Sequence, residues 1–246
     1  MLETQRPILV LAVFAAAVVS VTSAALPARS DDDHPARVRE AVSQSVKAGR
    51  VFDEIMQTPD KAIPRELLAH AKAVAVFPQV IKAAFLIGGE GGRGVVSRRT
   101  SAGWSDPVFF RGGGGSVGPQ IGASATDLVL LFMNDEGIRG LMKDKLELGA
   151  EAAVAGGPVG REAGAGTDAL LQTEVLSYSR SRGLFAGVNL KGVVIRPEDS
   201  LNRAVYHRSA RELLGDDQQG ASDFVHGLVA FPQVVSRYAP TARSDR

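Results

Sequence analysis

From Pro35 to about Gln57 the apolar residues Val38, Val42, Val46, Phe52 and Met56 recur every three to four positions, with Gly49 on the same stripe. That spacing predicts an amphipathic helix. Its flanks carry Arg37, Arg39, Lys47 and Arg50. Two uses of such a helix stay open: packing its stripe on a core, or meeting a membrane as well, with the basic residues at headgroup level. A second, shorter helix is expected from Pro64, where proline suits a first turn, through Arg65 to Lys72.

After Ala73 the spacing changes to short apolar runs punctuated by glycine, which predicts strands and turns. The expected strands are Val74 to Phe77, Ala84 to Ile87, Val95 to Arg98, Pro107 to Arg111, Asp127 to Met133, Glu151 to Ala155, Leu170 to Ser179 and Leu184 to Ile195. Helices are expected at Glu136 to Lys145 and from Pro197 to about His207. Strands without regularly alternating helices disfavour a doubly wound parallel sheet. They point to an α+β fold: a strongly curved, mostly antiparallel sheet with helices segregated to one side. The chain's 27 glycines require bends, bulges or close backbone approaches, so a partial barrel is the expected form. VAVFPQV at Val74 to Val80 has a near copy, VAFPQVV, at Val229 to Val235; it is too short to mark a duplication and reads as chance or as two similar strand ends.

Ahead of the first helix, Arg6 precedes an unbroken apolar run from Pro7 to Val19, and Ser23 and Ala25 supply small residues for a cleavage site. Residues 1–25 are therefore read as a signal peptide. An uncleaved anchor is the competing reading, because the stretch extended to Leu26 approaches the ~20 residues of a membrane-spanning helix. Either way the rest of the chain is expected outside the cytoplasm, in the periplasm, the envelope or the medium. Residues 26–35 form a linker, 36–208 the domain and 209–246 a tail. In that tail Phe224, Val225, Leu228, Val229 and Phe231 are candidates to close the core, while Thr241 to Arg246 is expected to fray.

Composition removes several function classes. The formal net charge is +1, and loss of Glu3 and Arg6 with the leader leaves it there, so no general attraction to nucleic acid follows. The chain contains no cysteine, which excludes disulfides, thiolate metal sites, a cysteine nucleophile and lipidation at an N-terminal Cys. Asp31, Asp32, Asp33 and His34 read as a solvated helix start rather than a metal site.

Glycine patterns that imitate catalytic signatures fail on context. Gly89, Gly91 and Gly94 match a dinucleotide fingerprint, but strand-like residues follow where a helix must meet the pyrophosphate. Gly113, Gly115 and Gly118 repeat the pattern with Pro119 next. Gly114, Ser116 and Gly118 match a nucleophile elbow, again without a following helix; only His207 and His226 come after the serine to serve as base. No P-loop, histidine metal pair or calcium loop is present. The sequence thus offers neither an enzyme nor a small-molecule cofactor site. What stands out instead is a set of basic residues near glycine turns: Lys82, Arg93, Arg98, Arg99, Arg111, Arg161, Arg180, Arg182 and Lys191. These are candidate headgroup contacts, because a guanidinium there can reach a phosphate while open backbone donates hydrogen bonds. Trp104, the one tryptophan, is expected to anchor the sheet.

The order of six stretches resembles the SYLF domain family: AKAVAVFP (Ala71 to Pro78), GGEGGRG (Gly88 to Gly94), WSDP (Trp104 to Pro107), GSVGPQIG (Gly115 to Gly122), GGPVGR (Gly156 to Arg161) and SYSRSRGLFAGVNLKG (Ser177 to Gly192). The resemblance covers about Val38 to Tyr206. It implies binding of phosphoinositides and other anionic phospholipids, and in some eukaryotic members of actin filaments. Lys191 stands where the family usually has an acidic residue, and export would separate the chain from cytosolic lipids and actin. The implied ligand therefore transfers only as a class, an anionic phospholipid surface. An envelope scaffold or adhesion protein with a protein partner is the alternative, and rising ionic strength separates the two because it weakens headgroup attraction.

Overall fold

The computed structural model describes residues 33–58, 62–81, 92–113, 125–160, 170–181, 184–187, 190, 192–218 and 227–240. The leader, the strand expected at Ala84 to Ile87 and Ser116 lie outside these residues. Helices α1 (Asp33–Met56) and α2 (Arg65–His70) come first. Strands β1 (Ala73–Ile81), β2 (Arg93–Thr100), β3 (Gly103–Trp104), β4 (Val108–Gly113) and β5 (Ala125–Phe132) follow, then α3 (Asp135–Leu141). Next come β6 (Leu146–Glu147), β7 (Val154–Gly156), β8 (Val175–Ser181), β9 (Leu184–Gly187) and β10 (Val194–Pro197). The described chain closes with α4 (Asp199–Tyr206), α5 (Ala210–Gly215) and α6 (Ala230–Tyr238).

The sheet runs in the order β6-β10-β4-β2-β1-β5-β8-β7, with β3 on β2 and β9 on β8. Among the described residues the pairings between these strands are antiparallel except β7 with β8. It curls into the expected half-barrel of an α+β fold.

Its centre is buried on both faces, which explains the continuous apolar run in β1. Val74 and Val76 enter one core with Val129, Leu131 and Leu176. Ala73, Ala75 and Phe77 enter the other with Leu128, Leu130 and Phe132. Helices cover both faces rather than the single side expected. Phe52 and Ile55 of α1, Leu67 of α2, Leu201 of α4 and Phe231 of α6 fill the first core. Ile138 of α3 and Leu213 of α5 fill the second. The expected tail thus belongs in part to the core, because Phe231, Val234 and Val235 of α6 pack with Ala41, Ala48 and Phe52 of α1.

Glycine decides one close approach. A Cβ on Gly94 would lie 2.2 Å from Cδ1 of Phe77, so a side chain there would displace the ring. The strand expected over Leu170 to Ser179 begins only at Val175, after a helical turn at 170–171. The one expected over Leu184 to Ile195 is split into β9 and β10.

FPQV occurs once as strand and once as helix. In β1 the register shifts between Phe77 and Val80, Gln79 takes a left-handed φ of 53°, and its amide donates to Asp127 Oδ1 at 2.9 Å. In α6 the same residues start a helix, where Pro232 sits in the first turn and lacks only an N–H that would have no helical partner. The expectation of two similar strand ends is corrected: tertiary contacts choose the conformation.

Candidate functional site

The first helix presents a different face to the core than its valine spacing suggests. Ala41, Ser45, Ala48, Phe52 and Ile55 are fully buried. Small residues dominate because α6 packs close: a Cβ on Gly49 would lie 3.3 Å from the Ala230 carbonyl oxygen. The one buried hydroxyl on this face is satisfied twice. Ser45 Oγ donates to Leu228 O at 2.5 Å and accepts from Phe231 N at 3.1 Å.

This register rotates the valine stripe outward. Val42 only edges onto the core, and Val46, 37% exposed, is the one exposed large hydrophobic side chain among the described residues. With Val38, Val42 and Ser43 it lines a shallow groove of about 540 Å³, bordered by Arg39, Lys47 and Arg50. All three cations are exposed, and none has an ion-pair partner among the described residues. Arg37 differs, lying 3.5 Å from Glu40 on the next turn. The outward face of α1 thus joins an apolar strip to a rim of cations that are unpaired among the described residues.

The basic residues expected on the glycine turns meet different fates. Lys82, Arg161, Arg182 and Lys191 lie outside the described residues. Arg98 and Arg99 are adjacent on β2, so their side chains leave opposite faces of the sheet. Each ends at the C-terminus of a helix. Arg99 donates to Leu68 O at 2.9 Å and Ala71 O at 3.0 Å at the end of α2. Arg98 donates to Leu214 O near the end of α5. A helix C-terminus leaves carbonyls without intrahelical partners and carries partial negative charge, which a guanidinium answers. Arg99 also stacks 4.5 Å over the ring of Trp104, and burial pushes its pKa down. Trp104 is buried, and its Nε1 donates to Ala239 O at 2.8 Å. Arg180 is held by Asp127 and Glu54, at 2.8 and 2.7 Å. These three arginines, read from sequence as headgroup contacts, have guanidinium groups engaged inside the chain.

Arg93 and Arg111 are brought together with a residue the sequence reading missed. Arg93 pairs with Arg111 across β2 and β4, and Arg111 with Arg196 across β4 and β10. Paired residues share a face, so three arginines stand in a row across three strands. Arg93 contacts Glu40 of α1, and Arg111 reaches Glu198 Oε1 at 2.5 Å. Arg196 is exposed and has no ion pair among the described residues. Only knowledge of the β4–β10 register could have revealed the row.

Among the described residues no group of three or more His, Asp or Glu side chains is placed to hold a metal ion, and no helix is long and apolar enough to cross a membrane.

Fold and site together define a half-barrel domain, flanked by helices on both faces, whose first helix turns an apolar strip rimmed by Arg39, Lys47 and Arg50 outward. Comparison with known proteins gives this class its family. Residues 113–231 match the Ysc84 family model, described as "Las17-binding protein actin regulator". SH3 domain-containing YSC84-like protein 1 of Rattus norvegicus is 36% identical over 194 residues, covering 76% of this chain and 57% of that protein. Its Homo sapiens counterpart is 35% identical over 194 residues, with 76% and 56% covered. Protein YSC84 of Saccharomyces cerevisiae is 33% identical over 177 residues, with 68% and 38% covered. The chain is a member of the SYLF (Ysc84) domain family. It spans about half the length of the curated relatives it matches, and none of the names quoted describes an enzyme.

Proposed function

We propose that this chain is an exported lipid-binding module that settles on anionic phospholipid surfaces through the outward face of α1. One observation carries the reading: Val46 is exposed on a strip whose rim holds Arg39, Lys47 and Arg50, all unpaired among the described residues. In water that strip is a cost; at a membrane interface the valines enter the acyl boundary while the cations stay among the headgroups. Each basic residue near an anionic surface contributes about 1 kcal/mol, so three supply roughly 3 kcal/mol. That supports weak, reversible association, to which valine burial adds.

A protein partner is the second reading, supported by the family description and its mention of Las17 binding and actin regulation. Co-sedimentation of the chain with anionic and neutral vesicles at low and high ionic strength separates the two. Lipid binding requires pelleting with anionic vesicles that weakens as salt rises. Equal pelleting with neutral vesicles contradicts the electrostatic mechanism, and pelleting with neither turns the case toward a protein partner.

A further inference from the structure

Beside the valine strip a cleft opens between α1, the β1 bulge and the start of β2. It encloses about 180 Å³ and is lined by Glu40, Ser43, Lys47, Gln79 and Arg93 among others. Pockets that enclose a whole small molecule measure ~300–1,000 Å³, so this one has room for a headgroup and not for the body of a ligand. Its polar walls are open to solvent. Ser43, Lys47 and Gln79 are exposed, and the Arg93 side chain is 50% exposed. Gln79 makes a fixed wall, because its left-handed φ of 53° is held by the bond from its amide to Asp127; bulges of this kind re-aim side chains beside sites.

The balance of charge chooses the ligand class. Among the described residues one carboxylate, Glu40, answers three cations here. It contacts Arg93 and lies 3.5 Å from Arg37, while Lys47 has no ion-pair partner. Two positive charges are therefore left over. A phosphodiester brings one negative charge, whereas a phosphomonoester brings about 1.5 to 2 near neutral pH and three terminal oxygens. The contact with Glu40 does not exhaust Arg93, since a guanidinium has five N–H donors. We infer that this cleft takes a phosphomonoester, seated between Lys47 and Ser43 of α1 and Arg93 of β2. Ser43 and Lys47 also line the valine groove, so a lipid lying against the valines can place its headgroup here. Two sources offer the group, a lipid headgroup and a soluble phosphate ester. The lipid form rests on the α1 reading; the soluble form does not.

The test sets phosphatidate against phosphatidylglycerol, a monoester against a diester, in phosphatidylcholine vesicles mixed to equal zeta potential. The full chain should bind the phosphatidate vesicles about five- to tenfold more tightly. Arg93→Gln should erase that preference at an unchanged melting temperature. Arg196→Gln, which removes the same charge from an exposed position outside the cleft, should keep it. A second arm titrates the full chain with glycerol 3-phosphate and follows the backbone amides of Gln79 and Gly94. A vesicle preference lost in Arg93→Gln assigns the lipid headgroup. Saturable shifts without a vesicle preference assign the soluble ester. A preference that survives Arg93→Gln overturns the proposal. So does equal binding to the two vesicles with no saturable shifts, an outcome that leaves the α1 reading standing. Saturable shifts with no binding to either vesicle would instead overturn the α1 reading and leave the cleft standing.

Discussion

Arg180 and Asp127 face each other across β8 and β5, and both Nε and Nη2 of the guanidinium donate to Asp127 Oδ2, at 3.0 and 2.8 Å. The other carboxylate oxygen accepts the amide of Gln79, the left-handed residue of the β1 bulge. One carboxylate thus ties a strand pair to a strained turn. Although burial pulls the Arg180 pKa down, its bonds to Asp127 and Glu54 prevail and hold it above the ordinary value.

Arg180→Glu should therefore lower stability instead of merely altering a surface. The expected cost is about 1–3 kcal/mol, the range for hydrogen bonds to charged groups. A double-mutant cycle with Asp127→Ala, read by denaturant midpoint, should show coupling. Additive effects would mean the pair is decorative.

Trp104→Ala should cost roughly 3–5 kcal/mol, as expected for emptying a buried large aromatic site. It also removes the donor to Ala239 O and the ring under Arg99. Chemical denaturation checks this, and an unchanged midpoint would contradict the packing described.

The two faces of α1 should respond in opposite ways. Ala48→Asp places an unpaired charge in the core and should prevent folding. Val46→Asp changes an exposed residue, so it should shift stability by no more than about 0.5 kcal/mol while reducing vesicle binding. Circular dichroism with co-sedimentation on both variants makes the comparison.

Burial pushes the hydroxyls of Tyr178 and Tyr206 well above the ordinary tyrosine pKa, with Asp106 adding to the effect at Tyr206. Tyr238 is raised too, by burial and then by its bond to Asp53. The unfolded chain releases these protons near pH ~10, whereas the folded chain keeps them. Folding stability should accordingly fall as the pH rises above about 10 and toward the higher folded values. Absorbance near the tyrosinate band should stay low in the native chain at that pH and jump on unfolding. Ordinary titration of all three tyrosines in the native chain would contradict this.

Much of the fold was readable because its signals are local. AVAVF in β1 is apolar at every position, as a strand buried on both faces must be, and the strand after Gly94 already excluded a dinucleotide loop. What escaped depends on distant partners. The valine stripe of α1 looked like the core face, yet Ala41, Ser45 and Ala48 take that role because α6 arrives from nearly two hundred residues away. Arg98 and Arg99 looked like a charge cluster, and only the helix ends packed on each face of β2 reveal them as caps. Arg196 had no meaning until β10 was placed beside β4.

The outward face of α1 is tested most directly by vesicle co-sedimentation of a variant with Arg39, Lys47 and Arg50 all changed to Glu. These side chains make no ion pair among the described residues, so the melting temperature should stay near that of the parent. Binding to anionic vesicles should fall by about a hundredfold or more at low salt, since roughly 3 kcal/mol of attraction is lost and repulsion replaces it. A variant that folds normally and still pellets with anionic vesicles as well as the parent would contradict the claim that α1 is the membrane-binding face.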